Sequence, residues 1–224
     1  MLEMEVIAFF LAGLPLVFVS NRLVLQLTTF DEDIVEQDEG RTLPWQTGRW
    51  PERVRWAVLL ILPVAMAVAA SRYDLLQAMA VSLLVLALLM ITATDMLRFR
   101  VPNAITYPGT IAALAAALLM PNGSIGDALL AALLGGGFFF LLAIITRGGI
   151  GLGDVKLAIL IGAALGLPIA YQALLYGVLA AAVAMGILLV AGVVTRRQPV
   201  PYAPFLSLAA IVVMLTQGAA FAPV

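Results

Sequence analysis

Long runs of apolar residues, separated by short clusters of polar residues, glycine and proline, divide this chain into eight segments. A helix needs roughly 20 mostly apolar residues to cross the hydrocarbon core of a bilayer. The pattern therefore predicts eight transmembrane helices. The second and sixth are short, and Pro63 interrupts the second, so both are candidates for tilted, broken or partly re-entrant helices. The predicted spans cover residues 5–27, 56–71, 75–94, 104–120, 126–146, 154–170, 172–194 and 203–221.

Composition agrees with this pattern, because 63% of the residues are hydrophobic, 11% are charged and the mean hydropathy is +1.10. An ordinary soluble domain is far less apolar. We predict an all-α, polytopic membrane protein with about eight transmembrane helices and the lipid bilayer as its surroundings. The first apolar run lacks a preceding basic region and a small-residue cleavage site, so we do not interpret it as a removable signal peptide. Residues 1–55 are predicted to form the first helix and a short cytoplasmic segment, and residues 56–224 a core of seven helices.

The extended hydrophilic segment from Thr28 to Arg55 is too short to bury a hydrophobic core of its own. We expect a loop or a short helix that lies against the membrane surface. Trp45, Trp50 and Trp56 alternate with arginines there, as is typical of residues at headgroup level. The acidic run between Asp31 and Glu39 is interpreted as a solvated face without chemistry.

The positions of the basic residues predict how the chain is oriented, because Lys and Arg collect in short cytoplasmic loops. With both termini outside, alternate connections carry eleven of the twelve basic residues and the opposite side keeps Arg72. We therefore predict a multi-pass protein of the cell's inner (cytoplasmic) membrane with both termini outside. The cytoplasmic basic residues are Arg22, Arg41, Arg49, Arg53, Arg55, Arg98, Arg100, Arg147, Lys156, Arg196 and Arg197.

Two acids stand next to apolar spans, Asp95 at the end of the third and Asp154 at the start of the sixth. An ionisable side chain at membrane depth costs at least about 2.5 kcal/mol, which makes such an acid a candidate functional residue. The predicted topology puts both at the cytoplasmic face, where they can meet. Cysteine and histidine are absent from the sequence, which excludes disulfides, thiol nucleophiles, Cys/His zinc sites and histidine-dependent triads.

Two carboxyl groups in close contact cannot both ionise, so one keeps a proton while the other activates water. Such a pair hydrolyses peptide bonds without a metal. Gly151 and Gly153 fit this chemistry, because glycine adopts conformations closed to other residues and lets a substrate strand approach. Asp154 alternatively serves as the N-cap of the sixth helix, where a carboxylate is stabilised by the helix dipole. Lys156 either tunes the acid or contacts substrate, or it simply extends its amine towards the membrane surface.

Two other classes of protein fit the same acids. A transporter uses buried acids to couple protons or cations, but it should show an internal repeat and acids near the midplane, and the sequence shows neither. A divalent cation would need more oxygen ligands than two carboxylates supply, so no metal is expected. A scaffold of a pilus or secretion system would have a similar layout without catalysis, and the presence of both acids argues against it.

Three segments carry a resemblance to the prepilin peptidase family, which are intramembrane aspartyl proteases of the Gly-x-Gly-Asp type. Residues 95–103 resemble the family's first-acid segment, in which Pro102 and Asn103 follow the Asp. Residues 149–157 resemble its Gly-x-Gly-Asp segment and are the most specific match. Residues 201–206, which contain Pro204 and Phe205, are similar to the family's Pro-Phe-Gly-Pro-Phe-Leu start of the last helix. They depart from it at positions 202 and 203.

The resemblance implies removal of the leader peptide from type IV prepilins or pseudopilins at the cytoplasmic face, with Asp95 and Asp154 as the catalytic pair. It implies that the neighbouring residues of the three segments support the loop and give access to substrate. The cysteine motifs of larger members are missing, and Val17 stands where an asparagine is expected. The peptidase step needs no cofactor, and S-adenosylmethionine is expected only if methyl transfer is retained. We expect no nucleic-acid partner, and the sequence leaves the oligomeric state open.

Overall fold

The computed structural model of the chain describes residues 2–29, 50–146, 150–195 and 200–223. Helices dominate these ranges, and a two-stranded antiparallel hairpin, unpredicted in an all-α protein, follows the last of them. In chain order the elements are α1 (Leu2–Thr29), α2 (Trp50–Leu59), α3 (Ile61–Arg72), α4 (Leu75–Arg98), α5 (Asn103–Leu119), α6 (Ile125–Ile145), α7 (Leu152–Leu165), α8 (Ile169–Val190), α9 (Ala203–Gln217), β1 (Gly218–Ala219) and β2 (Ala222–Pro223).

Within the described ranges, five helical stretches are long and apolar enough to cross a membrane. They are Glu3–Thr28, Glu52–Arg72, Leu75–Arg98, Ile125–Ile145 and Ile169–Val190. The protein is therefore a membrane protein with several apolar helices. The remaining three predicted spans correspond to the shorter helices α5, α7 and α9. At 14 residues, α7 is about 21 Å long, against about 30 Å of hydrocarbon.

The second predicted span differs from the structure at both its start and its break. The prediction began it at residue 56, whereas α2 begins at Trp50, and the helix is interrupted at Leu60 rather than at Pro63. Proline lacks an N–H and its ring clashes with the carbonyl four residues earlier, so Pro63 disturbs the helix one turn before its own position. Most of the predicted surface segment, including the acidic run and Trp45, lies outside the described residues.

The helix α7 lies in the middle of the bundle and packs against α5, α6, α8 and α9. Its closest approach is to α6, where a Cβ added to Gly162 would lie 2.5 Å from the carbonyl oxygen of Ala131. The small residues from Gly162 to Gly166 have the spacing that lets two helix backbones approach this closely. On the other side of the bundle, α4 packs against α3 and α9, and α1 packs against α3. Two of the central helices, α4 and α7, carry the candidate acids.

The hairpin β1–β2 closes the end of the bundle opposite these acids. The N–H of Ala220 donates to the carbonyl of Ala164 in α7, and the carbonyl of Ala220 accepts from the N–H of Ser124 before α6, both at 2.9 Å. The predicted last span, which ran to residue 221, is thus wrong in its final turn. The helix ends at Gln217 because Gly218 has φ 113°, a conformation that does not continue a helix.

Candidate active site

The first acid, Asp95, lies in the last turn of α4 and is 6% exposed. Its main-chain carbonyl accepts from the N–H of Phe99, which ends the helix in a left-handed conformation with φ 51°. Its side-chain Oδ2 accepts from the backbone N–H of Ala203, at the first residue of α9, over 3.1 Å. The start of α9 therefore fixes the position of the Asp95 carboxyl group.

The second acid, Asp154, lies in the first turn of α7 and is 8% exposed. Its Oδ2 accepts from the backbone N–H of Gly151 over 3.2 Å. The alternative in which Asp154 is the N-cap is wrong in detail, because α7 begins two residues earlier than predicted and Gly151 occupies the N-cap position. Asp154 lies three residues after Gly151, and its carboxylate accepts from the N–H of Gly151. This hydrogen bond is the acidic half of a capping box.

The two acids lie at the same end of the bundle, which we call the site end. Asp95 comes at the carboxyl end of α4 and Asp154 at the amino end of α7, and the two carboxyl groups interact electrostatically. Each keeps a main-chain donor of its own, so each carboxyl group is held in place independently of the other. The chain therefore brings together, in an interior largely closed to solvent, the two acids that its sequence predicted to meet.

A cavity of about 770 Å³ opens beside the acids at the site end. The two carboxyl groups are not among the residues that line it, although residues on either side of both acids are. The cavity therefore lies next to the segments that carry both acids. Its lining consists of Leu27, Thr28, Thr94, Arg98, Phe99, Arg100, Val101, Pro102, Asn103, Ala104, Gly151, Leu152, Gly153 and Lys156.

Two direct contacts join the segments that carry the acids. A Cβ added to Gly153 would lie 3.0 Å from the Cβ of Val101, so the absence of a side chain lets the segments touch. Lys156 donates from Nζ to Oδ1 of Asn103 over 2.8 Å. The same ammonium lies 5.6 Å from the centre of the Tyr107 ring, within the range of a cation–π contact. Lys156 therefore links α7 to α5. Neither interpretation of Lys156 from the sequence included this contact.

The structure shows a close contact at Gly153 and an ordinary backbone conformation at Gly151, and the approach of a substrate strand stays a prediction. Gly151 has φ −74° and ψ 150°, which any residue adopts. Gly153 lies within α7, and a side chain there would meet the side chain of Val101. Both glycines line the cavity, as do Pro102 and Asn103.

The two remaining predicted residues, Pro204 and Phe205, lie in the first turn of α9 and do not line this cavity. Pro204 is buried and Phe205 is half-buried. A Cβ added to Gly177 of α8 would lie 3.2 Å from the carbonyl oxygen of Phe205, so this turn is packed closely against α8. They directly follow Ala203, whose N–H donates to Asp95.

Sequence reasoning missed three contributors to the site, namely Ala203, Val101 and Tyr107. Ala203 acts through its main chain, and a backbone donor carries no signal in its own side chain. The prolines that flank it were the available clue, because they mark the start of α9. The described residues contain no group of three or more His, Cys, Asp or Glu side chains able to hold a metal ion.

Comparison with known proteins supports the family resemblance inferred from the sequence. Residues 82–190 match the sequence model of the Type IV leader peptidase family. A protein of Bacillus subtilis (strain 168), named prepilin leader peptidase/N-methyltransferase, is 32% identical to this chain over 160 residues. The alignment covers 71% of this chain and 64% of that protein, so the chain spans less than two thirds of its relative. No solved structure matches the chain significantly.

The matched region contains Asp95 and Asp154 together with α5, α6 and α8, whereas the start of α9 lies outside it. Two of the three segments that carried the resemblance are therefore within the match. Through residues 82–190, the chain belongs to the type IV leader peptidase family, and the resemblance inferred from its sequence is confirmed.

Proposed function

We propose that this protein is an intramembrane aspartic endopeptidase that removes the leader peptide of type IV prepilins or pseudopilins. The observation that carries the proposal is the pairing of Asp95 with Asp154 at one end of the bundle, buried and beside a cavity. Family membership supports a peptidase, and the name of the Bacillus subtilis relative supports a prepilin as substrate.

In the proposed reaction one carboxyl group is ionised and the other protonated. The ionised carboxylate takes a proton from a water molecule, whose oxygen adds to the carbonyl carbon of the scissile peptide bond. The protonated carboxyl group hydrogen-bonds to the carbonyl oxygen and donates its proton as the tetrahedral intermediate forms. When the C–N bond breaks, the leaving amine takes a proton from the acid formed in the first step, and the other carboxylate takes a hydroxyl proton from the intermediate as the C=O bond re-forms. The pair thus returns to one ionised and one protonated group.

The hydrogen bonds to the two acids are compatible with one acting as base and the other as acid. A main-chain N–H donates to each acid, from Ala203 to Asp95 and from Gly151 to Asp154, and such donors hold a carboxylate in one orientation. Orientation matters because catalytic groups act only within hydrogen-bond reach of the substrate. We propose that the scissile bond reaches the pair through the cavity that Pro102, Asn103 and Gly153 line.

The proposal includes an orientation in the membrane. The basic residues favour eight spans with both termini outside, which places the site end at the cytoplasmic face of the inner membrane. The short helices α5, α7 and α9 would then complete the spans, with the site end open to the cytoplasm. The peptidase step requires no cofactor in this scheme. S-adenosylmethionine would be needed only for methylation of the new amino terminus, which the name of the relative includes.

The test is cleavage of a co-expressed prepilin by the wild-type protein and by Asp95→Asn and Asp154→Asn variants inserted at equal levels. Each variant should lower cleavage by about 10³-fold or more, because residues that act as a unit fail together. Asp74→Asn is the matched control, since Asp74 is exposed at the far end of the bundle and its side chain makes no capping bond. The mass of the product's amino terminus would report methylation.

Undiminished cleavage by either acid variant would refute the two-acid mechanism. If the wild-type protein cleaves no prepilin, the transporter and scaffold interpretations would replace the peptidase. Proton or cation flux in sealed vesicles would separate those two, because a scaffold produces no flux and a transporter should lose it in both acid variants.

A further inference from the structure

Two buried hydroxyl groups close to the acids have no hydrogen-bond partner among the described residues. They belong to Thr92 of α4 and Ser207 of α9, whose side chains are 1% and 0% exposed. Thr94 and Thr216, in the same two helices, instead donate to a main-chain carbonyl of the preceding turn. A buried hydroxyl group without a partner is destabilising, because it has lost the hydrogen bonds that water gave it. The two groups therefore indicate a polar ligand.

Both hydroxyl groups lie one helical turn from the contact between Asp95 and Ala203. Thr92 precedes Asp95 by three residues, and Ser207 follows Ala203 by four. At 1.5 Å per residue, these separations are about 4.5 Å and about 6 Å along the helix axes. The two helices pack against each other and run in opposite directions from the site end, so the two residues have nearly the same depth. We call Thr92 and Ser207 the hydroxyl layer.

The next turn shows that the same faces of α4 and α9 meet. Leu88 is four residues before Thr92, Ala210 is three residues after Ser207, and both line one void of about 10 Å³. Residues three or four apart share a helix face. The hydroxyl layer therefore lies between this void and the acids. The side chains around the void are apolar, so the void itself offers a water molecule no partner.

We propose that Thr92 and Ser207 hold a water molecule beneath Asp95. A buried water typically makes about three hydrogen bonds, which two hydroxyl groups and one carboxylate oxygen supply. Helical side chains lean towards the amino end of their helix. The carboxyl group of Asp95 therefore leans towards the hydroxyl layer, and the hydroxyl group of Ser207 leans towards the site end. Water suits this position because it donates to one group and accepts from another.

The water molecule has a role in the reaction, and this part rests on the proposed function. One oxygen of Asp95 already accepts from the N–H of Ala203. A second hydrogen bond, from the water, would fix the plane of the carboxyl group. Catalytic groups act only within hydrogen-bond reach of the atoms that they protonate or deprotonate. Thr92 and Ser207 are thus positioning residues, which act through Asp95.

A crystal structure of the full chain, at a resolution that shows ordered water, tests the site without reference to activity. We expect density for one water molecule within hydrogen-bond distance of both hydroxyl groups, and we expect Thr92→Val to lose it. The proposal is overturned if other buried waters are visible and this one is not, or if the two hydroxyl groups bond directly to each other.

Reversible unfolding gives an independent test. Thr92→Val and Ser207→Ala should each raise the unfolding equilibrium constant about fivefold, because each deletes one hydrogen bond of a buried network. The double variant should also show a rise of about fivefold, rather than about 25-fold, because the two residues share one ligand. If no water is bound, removal of an unpaired hydroxyl group should leave stability unchanged or increase it, and that result would overturn the proposal.

Two further variants make the coupling specific. Ser82 carries the third buried hydroxyl group without a partner among the described residues, ten residues before Thr92 on α4. That separation is about 15 Å, so Ser82→Ala should show no coupling to Thr92→Val. Thr92→Ser keeps the hydroxyl group and should keep the coupling to Ser207. Equal coupling of Thr92 to Ser82 and to Ser207 would exclude a ligand shared within the hydroxyl layer.

Prepilin cleavage tests the positioning role. Thr92→Val should lower kcat about tenfold at unchanged KM, because it loosens a catalytic group without touching the substrate. Thr92→Ser should restore most of the rate, and Ser82→Ala should cleave normally. Normal cleavage by Thr92→Val would overturn the positioning role but not the water site. If the wild-type protein cleaves no prepilin while the water and the coupling are present, the proposed function fails and the site stands.

Discussion

The backbone N–H of Ala203 donates to Oδ2 of Asp95 over 3.1 Å, across 108 residues of sequence. The acid belongs to α4 and the donor to the first residue of α9, so neither helix alone defines the geometry of the carboxyl group. Any displacement of the start of α9 is transmitted to Asp95 by this hydrogen bond. The packing of α9 against α8 therefore affects the geometry of the candidate site, although α8 contributes no acid to that site.

Gly177→Ala tests this dependence. A Cβ at this position of α8 would lie 2.9 Å from the Cα of Leu206 and 2.8 Å from its Cδ2. Overpacking of this kind costs about 1–3 kcal/mol, and it would push the start of α9 away from α8. We expect lower thermal stability and slower prepilin cleavage.

Gly186→Ala is the matched control in the same helix, because its added Cβ meets nothing within 4 Å. It should stabilise the protein by up to about 1 kcal/mol, as alanine does in place of a helical glycine. Equal stability and cleavage in the two variants would show that α8 does not determine the position of α9.

Gly153→Ala should weaken the contact between the two acid-bearing segments. Its Cβ would press on Val101 at 3.0 Å, and a displacement of catalytic groups by even 1 Å can cost about 10²-fold in rate. We expect cleavage to fall about tenfold. The double variant Gly153→Ala/Val101→Ala should recover part of it, because the second change removes the Cγ2 methyl group at 3.0 Å and keeps the Cβ of residue 101.

Gly151→Ala controls for the loss of a glycine in this motif, since its added Cβ meets nothing closer than Oδ2 of Asp154 at 3.6 Å. It keeps the N–H that donates to Asp154 and should cleave at nearly the normal rate. A severe loss in Gly151→Ala, or no recovery in the double variant, would contradict this account.

Lys156 and Asn103 should be coupled energetically through their 2.8 Å hydrogen bond. A double-mutant cycle with Lys156→Met and Asn103→Ala, measured by reversible unfolding, should give a coupling of about 1 kcal/mol, as expected for contacting residues. Asn122→Ala replaces the same type of side chain far from Lys156 and should give a coupling near zero. Equal couplings in the two cycles would exclude the tether between α5 and α7.

Tyr73 provides a prediction for alkaline pH. Burial raises the pKa of Tyr73 from 10.0 to about 12, against a smaller opposing effect of Arg72, and its hydroxyl donates to the carbonyl of Met214. The folded protein thus keeps the phenol neutral at a pH where the unfolded chain has lost the proton. The contribution of Tyr73 to stability is complete below about pH 10 and is lost as the pH rises towards 12.

Tyr73→Phe should lower the free energy of unfolding by about 1 kcal/mol at neutral pH, because it deletes a buried hydrogen bond. Between pH 10 and 12 the variant should lose less stability than the wild-type protein. Tyr171→Phe, at an exposed position, serves as the control. Parallel curves for the wild-type protein and Tyr73→Phe would contradict the prediction.

The sequence predicted which two acids share the candidate site more accurately than it predicted where the helices that carry them begin and end. Apolar periodicity and charge placed Asp95 and Asp154 at the same end of the bundle, because those signals depend on the membrane and not on packing. The ends of helices were less predictable. The prediction started α7 at its acid, whereas the helix begins at Leu152, since an acid in the first turn is as favourable as one at the cap.

Contacts between distant segments were not predictable, because one sequence does not reveal which residues face each other. Nothing around Gly153 indicates that Val101 is its neighbour, and nothing around Lys156 indicates Asn103. The break at Leu60 was also misplaced, since a proline disturbs the turn that precedes it. The structure of the predicted surface segment up to residue 49 stays a prediction.

The order of synthesis gives the hairpin β1–β2 a further consequence. The carbonyl of Ala164, near the end of α7, receives the N–H of Ala220, which the ribosome adds long after α7 itself. Until then this end of the acid-bearing helix lacks its partner, and Asp95 likewise waits for the N–H of Ala203. Newly inserted helices therefore lack both of these hydrogen bonds until the last helix and the hairpin have been synthesised.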